Sequence, residues 1–172
     1  MKEITTRELK ENLIADIADE WMLITAGNSE KYNTMTASWG MTGELWGNDA
    51  VTVYIRPQRY TREFADREDY FSLSFYGDEL HDVHKVCGKL SGRDVDKAGL
   101  TGLIPDFSEK APYFKQARLV LICKKQYVGK IEPDGFTDKT VIDKCYPNRD
   151  FHYFYVGKIE KVLTKEDIGK RE

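Results

Sequence analysis

Two short polar segments carry the residues best suited to chemistry, Asn33-Thr-Met-Thr-Ala-Ser-Trp-Gly40 and Arg56-Pro-Gln-Arg-Tyr-Thr61. The hydroxyl and amide groups of the first segment can hydrogen-bond a flat polar heterocycle, and its tryptophan can stack on the ring. In the second segment, an arginine and a threonine at a helix start can hold a phosphate. The combination suits a phosphorylated, flat cofactor, and flavin mononucleotide (FMN) fits it best.

The distribution of charge along these segments agrees with such a ligand. No charged residue lies between Asn33 and Met41, so a ring bound there would be held by neutral hydrogen bonds and stacking. Positive charge lies instead at Arg56, Arg59 and Lys97, where a phosphate requires it. Donors aimed at the edge of a flavin that becomes negative on reduction stabilise the reduced form.

Strands are the main elements that would position these segments. Runs of apolar or alternating residues predict six strands: 21–26, 34–40, 50–55, 70–75, 118–129 and 151–163. Glycines predict turns at Gly43 and at 47–49. Helix-like spacing predicts a short helix within 7–20 and a second helix over 60–67. It also predicts a helix that begins at Leu80 and stops at Gly88. The segment 89–112 is expected to be a loop with a helical turn around 94–98.

The order of these elements favours a fold that is mainly β with peripheral helices. A regular strand–helix alternation is missing, which argues against a doubly wound parallel sheet and favours a small antiparallel barrel. With 172 residues, a single domain over 1–172 is expected. Residues 1–20 would form an N-terminal arm, and 164–172 an exposed polar tail.

Composition and charge narrow the class of partner. A net charge of −3, with both signs interspersed, argues against nucleic acid or an anionic membrane as the main partner. No apolar segment reaches the length of a membrane span, and no N-terminal secretion signal is visible. Three widely spaced cysteines, Cys87, Cys123 and Cys145, predict a reducing cytoplasm and no disulfide framework.

His81, His84 and Cys87 recur every three residues, which raises the question of a metal site. This spacing drifts around a helix axis, so the three side chains converge poorly, and no metal is predicted. Cys87 could be a redox thiol near a flavin, but a buried structural cysteine is the preferred interpretation. No arrangement of catalytic residues for nucleophilic or acid–base chemistry is visible.

Beyond these patterns, an ordered set of motifs resembles a known family. To the two polar segments it adds Trp21-Met-Leu-Ile-Thr-Ala-Gly27, Phe71-Ser-Leu-Ser-Phe75, Cys87-Gly88, Ser91-Gly-Arg-Asp94, Asp96-Lys97 and Asp150-Phe-His152. In this order, over roughly residues 20 to 160, the chain resembles the flavin reductase-like, FMN-binding split-barrel family. The flavoredoxin-type branch is the most similar.

The resemblance implies a split β-barrel, a homodimer, and FMN bound near the subunit interface. Carried over by position, the residues implied to line the flavin ring are Asn33, Thr36, Ala37, Ser38 and Trp39. Those implied at the ribityl-phosphate end are Arg56, Tyr60 and Thr61, with Lys97 as a further phosphate contact. Ser74 would lie on a neighbouring strand within reach of the cofactor, and His152 would approach it, from the partner subunit in one arrangement.

Each of these residues also has an ordinary structural interpretation. Thr36 and Ser38 could be plain strand positions, and Trp39 could be core. Arg56, Arg59 and Lys97 could be solvated charges. His152 precedes Tyr153-Phe-Tyr155 and could simply pack within an aromatic strand.

Two functional classes therefore follow. The first is an enzyme that moves electrons from NAD(P)H through FMN to free flavin, a ferric chelate or a redox protein, with no acid–base residue required. The second is an electron carrier that holds FMN tightly and has no NAD(P)H oxidase activity. A third alternative is a related barrel that binds haem or has lost catalysis. No Gly-x-Gly-x-x-Gly motif selects NADH or NADPH.

Overall fold

The computed structural model describes residues 1–77 and 80–165. Ten strands form most of the described fold. They are β1 (Lys2–Ile4), β2 (Met22–Gly27), β3 (Tyr32–Ala37), β4 (Gly40–Leu45), β5 (Asn48–Ile55), β6 (Tyr70–Phe75), β7 (Pro105–Asp106), β8 (Tyr113–Phe114), β9 (Leu119–Lys130) and β10 (Tyr153–Thr164). The helices are α1 (Leu13–Ala15), α2 (Thr61–Arg67), α3 (His81–Lys89), α4 (Lys97–Thr101) and α5 (Thr140–Cys145).

The main sheet is antiparallel and runs in the order β3-β2-β6-β9-β10-β5-β4. Strand β1 pairs with the C-terminal end of β10, beyond the part that pairs with β5. The two end strands, β3 and β4, are joined by Ser38 and Trp39 alone. In a flat sheet they would lie roughly 29 Å apart, whereas this link spans at most about 11 Å. The sheet therefore curls into a barrel that is split between β3 and β4, which confirms the predicted fold class.

Two apolar layers lie on opposite faces of the sheet. The barrel interior contains Ile24, Phe71, Leu73 and Tyr155, all almost fully buried. The outer layer includes residues of β2 and β9 with α3 and α4, and Cys87 is buried there. Because alternate residues of a strand face opposite sides, β2 and β6 are buried along both faces.

Strand β10 bends where it passes the barrel interior. Its pairing with β9 shifts register at Val156–Gly157, and a Cβ at Gly157 would lie 2.6 Å from Cζ of Phe71. Only glycine leaves room for that ring. The bend helps the sheet to close around the core.

The segment between β9 and β10 folds back over one end of the barrel. Residues 131–152 contain α5 and a small aromatic core around Ile142, Tyr146 and Phe151. The rings of Tyr146 and Phe151 stack with centroids 4.8 Å apart. This segment, called the cap below, has no counterpart in the sequence-based prediction.

Several local predictions need correction. Gly43 lies inside β4 and is not a turn, and α3 continues through Gly88 to Lys89. The predicted strand over 34–40 ends at Ala37, and β4 begins at Gly40. The helical turn expected around 94–98 starts at Lys97. Of the expected exposed tail, Thr164 is buried in β10, and 166–172 lie outside the described residues.

Candidate cofactor-binding site

Two adjoining cavities lie at the split of the barrel and share Met35, Gln58 and Arg59 as lining residues. The larger, of about 410 Å³, is lined by Met35, Thr36, Ala37, Ser38, Trp39, Tyr54, Arg56, Gln58, Arg59 and His152. The smaller, of about 130 Å³, is lined by Asn33, Met35, Gln58, Arg59, Tyr60, Thr61, Lys89, Leu90, Ser91 and Lys97. Together they form one cleft, and ten of the eleven predicted site residues line it.

The larger cavity is the aromatic end of the cleft. The rings of Trp39 and His152 lie 4.9 Å apart, and Trp39 is 42% exposed. His152 shares a 2.9 Å hydrogen bond between its Nδ1 and the hydroxyl of Tyr146. Burial, reinforced by Arg56, lowers the pKa of His152 to about 4, so its ring is neutral at pH 7. This end can stack on and hydrogen-bond a flat heterocycle.

The smaller cavity is the cationic end. Lys97 is 6% exposed, and its ammonium donates to the carbonyl oxygens of Thr34 at 2.8 Å and Cys87 at 3.0 Å. The Arg59 guanidinium donates to the carbonyl oxygen of Gly88 at 2.6 Å. Within the described part of the chain, neither cation has a carboxylate within 4 Å.

Burial has an electrostatic cost for both of these cations. It lowers the pKa of Lys97 to about 8, an effect that the Cys87 thiol opposes and Arg59 reinforces. It also lowers the pKa of Arg59, with Arg56 adding to the shift. A bound anion would relieve this cost, so the pair forms a site for a ligand with negative charge.

Hydroxyl and amide groups surround the two cations. Asn33 donates from Nδ2 to Oγ1 of Thr61 at 2.8 Å, which ties β3 to the start of α2. A Cβ on Gly92 would lie 1.9 Å from Oδ1 of Asn33, so this glycine permits the loop after α3 to close against β3. Tyr60 and Ser91 complete the polar wall.

Arg56 is held differently from Arg59. Its guanidinium lies 2.6 Å from the carboxylate of Asp150 and donates to the carbonyl oxygen of Cys145 at 2.9 Å. Gln58 also binds Asp150, at 2.8 Å. Arg56 therefore links β5 to the cap, and the carboxylate of Asp150 balances its positive charge.

Ser74 lies outside the cleft. It is completely buried on β6, and it alternates with the interior-facing Leu73 and Phe75, which directs it towards the outer layer. Its Oγ interacts with the hydroxyl of Tyr76, which belongs to that outer layer. Thr36, by contrast, lines the cleft while its hydroxyl donates to the carbonyl oxygen of His84 at 2.8 Å.

Sequence reasoning did not name six of the lining residues: Met35, Tyr54, Gln58, Lys89, Leu90 and Ser91. Gln58 lies inside the recognised Arg56–Thr61 segment, and Ser91 within the quoted Ser91–Asp94 motif, so both had a local signal. Within the described residues, no cluster of three or more candidate ligands could hold a metal ion. In the same part of the chain, no helix has the length and hydropathy required to span a bilayer.

Comparison with known structures finds proteins with a similar fold. Flavoredoxin from Methanosarcina acetivorans is 25% identical, with a TM-score of 0.66 over 86% of this chain and 69% of that chain. An FMN-binding protein from Thermus thermophilus is 19% identical, with a TM-score of 0.67 over 99% and 84%. A putative flavin reductase with a split barrel domain from Shewanella frigidimarina is 16% identical, with a TM-score of 0.69 over 98% and 78%.

No curated protein sequence matches the chain significantly. The model of the flavin reductase like domain matches residues 14–171, which is most of the chain. The mainly β fold with a split barrel agrees with that match. The chain therefore belongs to the flavin reductase-like family.

Proposed function

We propose that the cleft binds FMN, with the phosphate at Lys97 and Arg59 and the ring beside Trp39. The observation that carries this proposal is a cation pair, buried Lys97 and half-buried Arg59, that has no carboxylate partner among the described residues. The pair lies at one end of a cleft whose other end is aromatic. Two positive charges match the charge of a phosphate dianion. Membership of the flavin reductase-like family supports a flavin as the ligand.

The ring end would be formed by the wall Thr36, Ala37, Ser38 and Trp39, together with His152. Neutral His152 and the hydroxyl of Ser38 can hydrogen-bond ring atoms without fixing a charge beside them. Asn33, Tyr60, Thr61 and Ser91 would hold the ribityl chain and phosphate. Arg56, which is paired with Asp150, would act by holding the cap and His152 in place.

The activity that suits this arrangement is electron transfer from NAD(P)H to a flavin or another acceptor. Bound FMN supplies the chemistry of hydride acceptance, and the chain supplies position and electrostatics. The lining of the cleft contains no carboxylate. A mechanism that needs no protein acid or base is consistent with that composition.

The test is an absorption spectrum of the purified protein from 300 to 600 nm, recorded before and after addition of FMN and then of NADH or NADPH. We expect flavin bands that shift on binding and bleach with one nicotinamide. Added FMN whose spectrum never shifts would overturn the cofactor assignment. A Soret band would favour haem.

An electron carrier without its own NAD(P)H oxidase activity is the second candidate. The similarity to a flavoredoxin supports it. The same spectra separate the two candidates, because a carrier would hold FMN through gel filtration and bleach with dithionite but not with a nicotinamide.

We also propose a homodimer in a reducing cytoplasm. Leu45, Trp46, Tyr127 and Val128 are exposed by 38 to 58% on the outside of the barrel and could form the interface. Cys87, Cys123 and Cys145 are all free, which suits a reducing compartment. Light scattering of the wild type and of Trp46→Glu tests the dimer, which the variant should weaken.

A further inference from the structure

A third cavity, called the apolar pocket below, lies on the other side of Trp39 from the cationic end. It encloses about 720 Å³, within the range of small-molecule sites. Three separate parts of the chain form it: α1 and the helical turn Asp16–Glu20 that follows it, the strands β4 and β5 with the link before β4, and the cap. Its lining includes Ile17, Trp39, Met41, Tyr54, Val141 and Tyr146.

The apolar pocket extends from the protein surface into the buried interior. Ile17 and Tyr146 are 5% and 3% exposed, whereas Ile14 is 79% exposed and Val141 is 37% exposed. The lining thus grades from fully buried to open side chains, as expected for a cavity with a mouth. A flat exposed patch would lack the buried members.

The apolar pocket and the FMN cleft share a wall. Ser38, Trp39 and Tyr54 line both cavities. A molecule in the apolar pocket would therefore lie beside the ring end of the cleft, at the distance of one side-chain layer or less. That position is suitable for accepting electrons from a flavin.

The absence of charged side chains in the lining of the apolar pocket favours an uncharged ligand. None of the lining residues is charged, and the hydroxyl groups that can face a ligand are those of Ser38, Thr42 and Tyr54. The hydroxyl of Tyr146 is already hydrogen-bonded to Nδ1 of His152. A nicotinamide dinucleotide or a free phosphorylated flavin carries at least two negative charges, which this wall cannot neutralise. Hydroxyl donors in an apolar wall suit the carbonyl oxygens of a neutral planar compound.

We propose that the apolar pocket binds a neutral quinone as the electron acceptor. The inference rests on the proposed FMN site, which it extends by naming the acceptor class. In the reaction, the quinone gains two electrons and two protons and becomes a hydroquinone. NAD(P)H would supply both electrons and one proton as a hydride, passed on by FMN held in the cleft, and would leave as NAD(P)⁺. Solvent would supply the second proton.

The first experiment measures binding without turnover. Menadione is titrated into the FMN-free protein, and quenching of tryptophan fluorescence reports its approach to Trp39. Val141→Asp places a charge in the apolar pocket and should weaken menadione binding by at least about tenfold. Met41→Asp, at another exposed lining residue, should do the same. Ile104→Asp is the matched control, since Ile104 is 53% exposed and lies outside all three cavities.

The outcomes are distinct. Menadione binding that is absent, or equal in Val141→Asp, Met41→Asp and Ile104→Asp, overturns the quinone site. A wild-type dimer that becomes a monomer in Val141→Asp with unchanged quinone affinity identifies the pocket as an interface between copies, and also overturns it. An FMN titration of each variant is read separately. If FMN still binds, the proposed cofactor site stands whatever menadione does.

Discussion

The ammonium of Lys97 donates a hydrogen bond to the carbonyl oxygen of Thr34 at 2.8 Å, which holds a buried cation from the start of α4 against β3. This contact crosses 63 residues of sequence and places positive charge at the closed end of the cleft. It makes Lys97 the first residue to test.

Replacing Lys97 with Met should weaken FMN binding by roughly 10- to 150-fold, because one charge-assisted hydrogen bond contributes about 1.5–3 kcal/mol. Riboflavin, which lacks the phosphate, should bind wild type and variant equally. Isothermal titration with both ligands measures the difference. Equal losses for FMN and riboflavin would mean that Lys97 supports the cleft and does not bind phosphate.

FMN affinity should depend on pH through Lys97. The pKa of this ammonium in the free protein is about 8, and a bound phosphate raises it. Affinity should therefore be constant just below pH 8 and decline as the pH rises above it, because the free protein loses the proton that the complex retains. Lys97→Arg keeps its charge and should abolish the decline. A decline that persists in this variant would assign it to another group.

Arg59 should contribute more to phosphate binding than Arg56. Arg59→Met should reduce FMN affinity and leave riboflavin affinity unchanged, because its guanidinium faces no carboxylate in the described structure. Arg56→Met should change the FMN-to-riboflavin affinity ratio little. The reverse ranking in the same titrations would restore Arg56 as the phosphate ligand.

Arg56 should matter for the stability of the cap. A double-mutant cycle of Arg56→Met and Asp150→Asn should give a coupling of roughly 1 kcal/mol, as expected for a partly buried ion pair. Thermal unfolding should shift down by about 2–4 °C for each kcal/mol lost. Additive effects in the cycle would show that the two side chains do not interact in solution.

Ser74 should not contribute to FMN binding. Ser74→Ala removes a buried hydroxyl that interacts only with the Tyr76 hydroxyl among the described residues, so the free energy of unfolding should fall by no more than about 1 kcal/mol. The FMN dissociation constant should remain that of the wild type. A weaker FMN affinity with unchanged stability would bring Ser74 back into the site.

Local patterns were sufficient for the strands that form the barrel. Strand β6 was predicted with its observed bounds, because serines alternate with apolar residues along Phe71–Phe75. Gly43 was misassigned because a glycine in a strand and a glycine in a turn have the same local signal. The register of β4 against β5, with Gly43 opposite Ala50, is decided by pairing and not by propensity.

The cleft was predictable as a set of residues but not in its electrostatics. The neutral polar run at Asn33–Trp39 marked the aromatic end directly. Which arginine is available to bind the phosphate depends on Asp150, which pairs with Arg56 although it lies 94 residues away in sequence. The sequence alone does not reveal that pairing. The cap was missed because its helix, α5, has only six residues, too few for the spacing of Ile142 and Tyr146 to give a clear helical pattern. The side of β6 that Ser74 occupies could be read only from the packing of its neighbours.

The link between β3 and β4 has a kinetic consequence. Ser38 and Trp39 bridge the split of the barrel and also form the wall between the cleft and the apolar pocket. A ligand that contacts both this wall and β5 would hold the two edges of the split together. Amide hydrogens of β3 and β4 should then exchange with solvent more slowly in the FMN complex than in the free protein, while those of β9 change little.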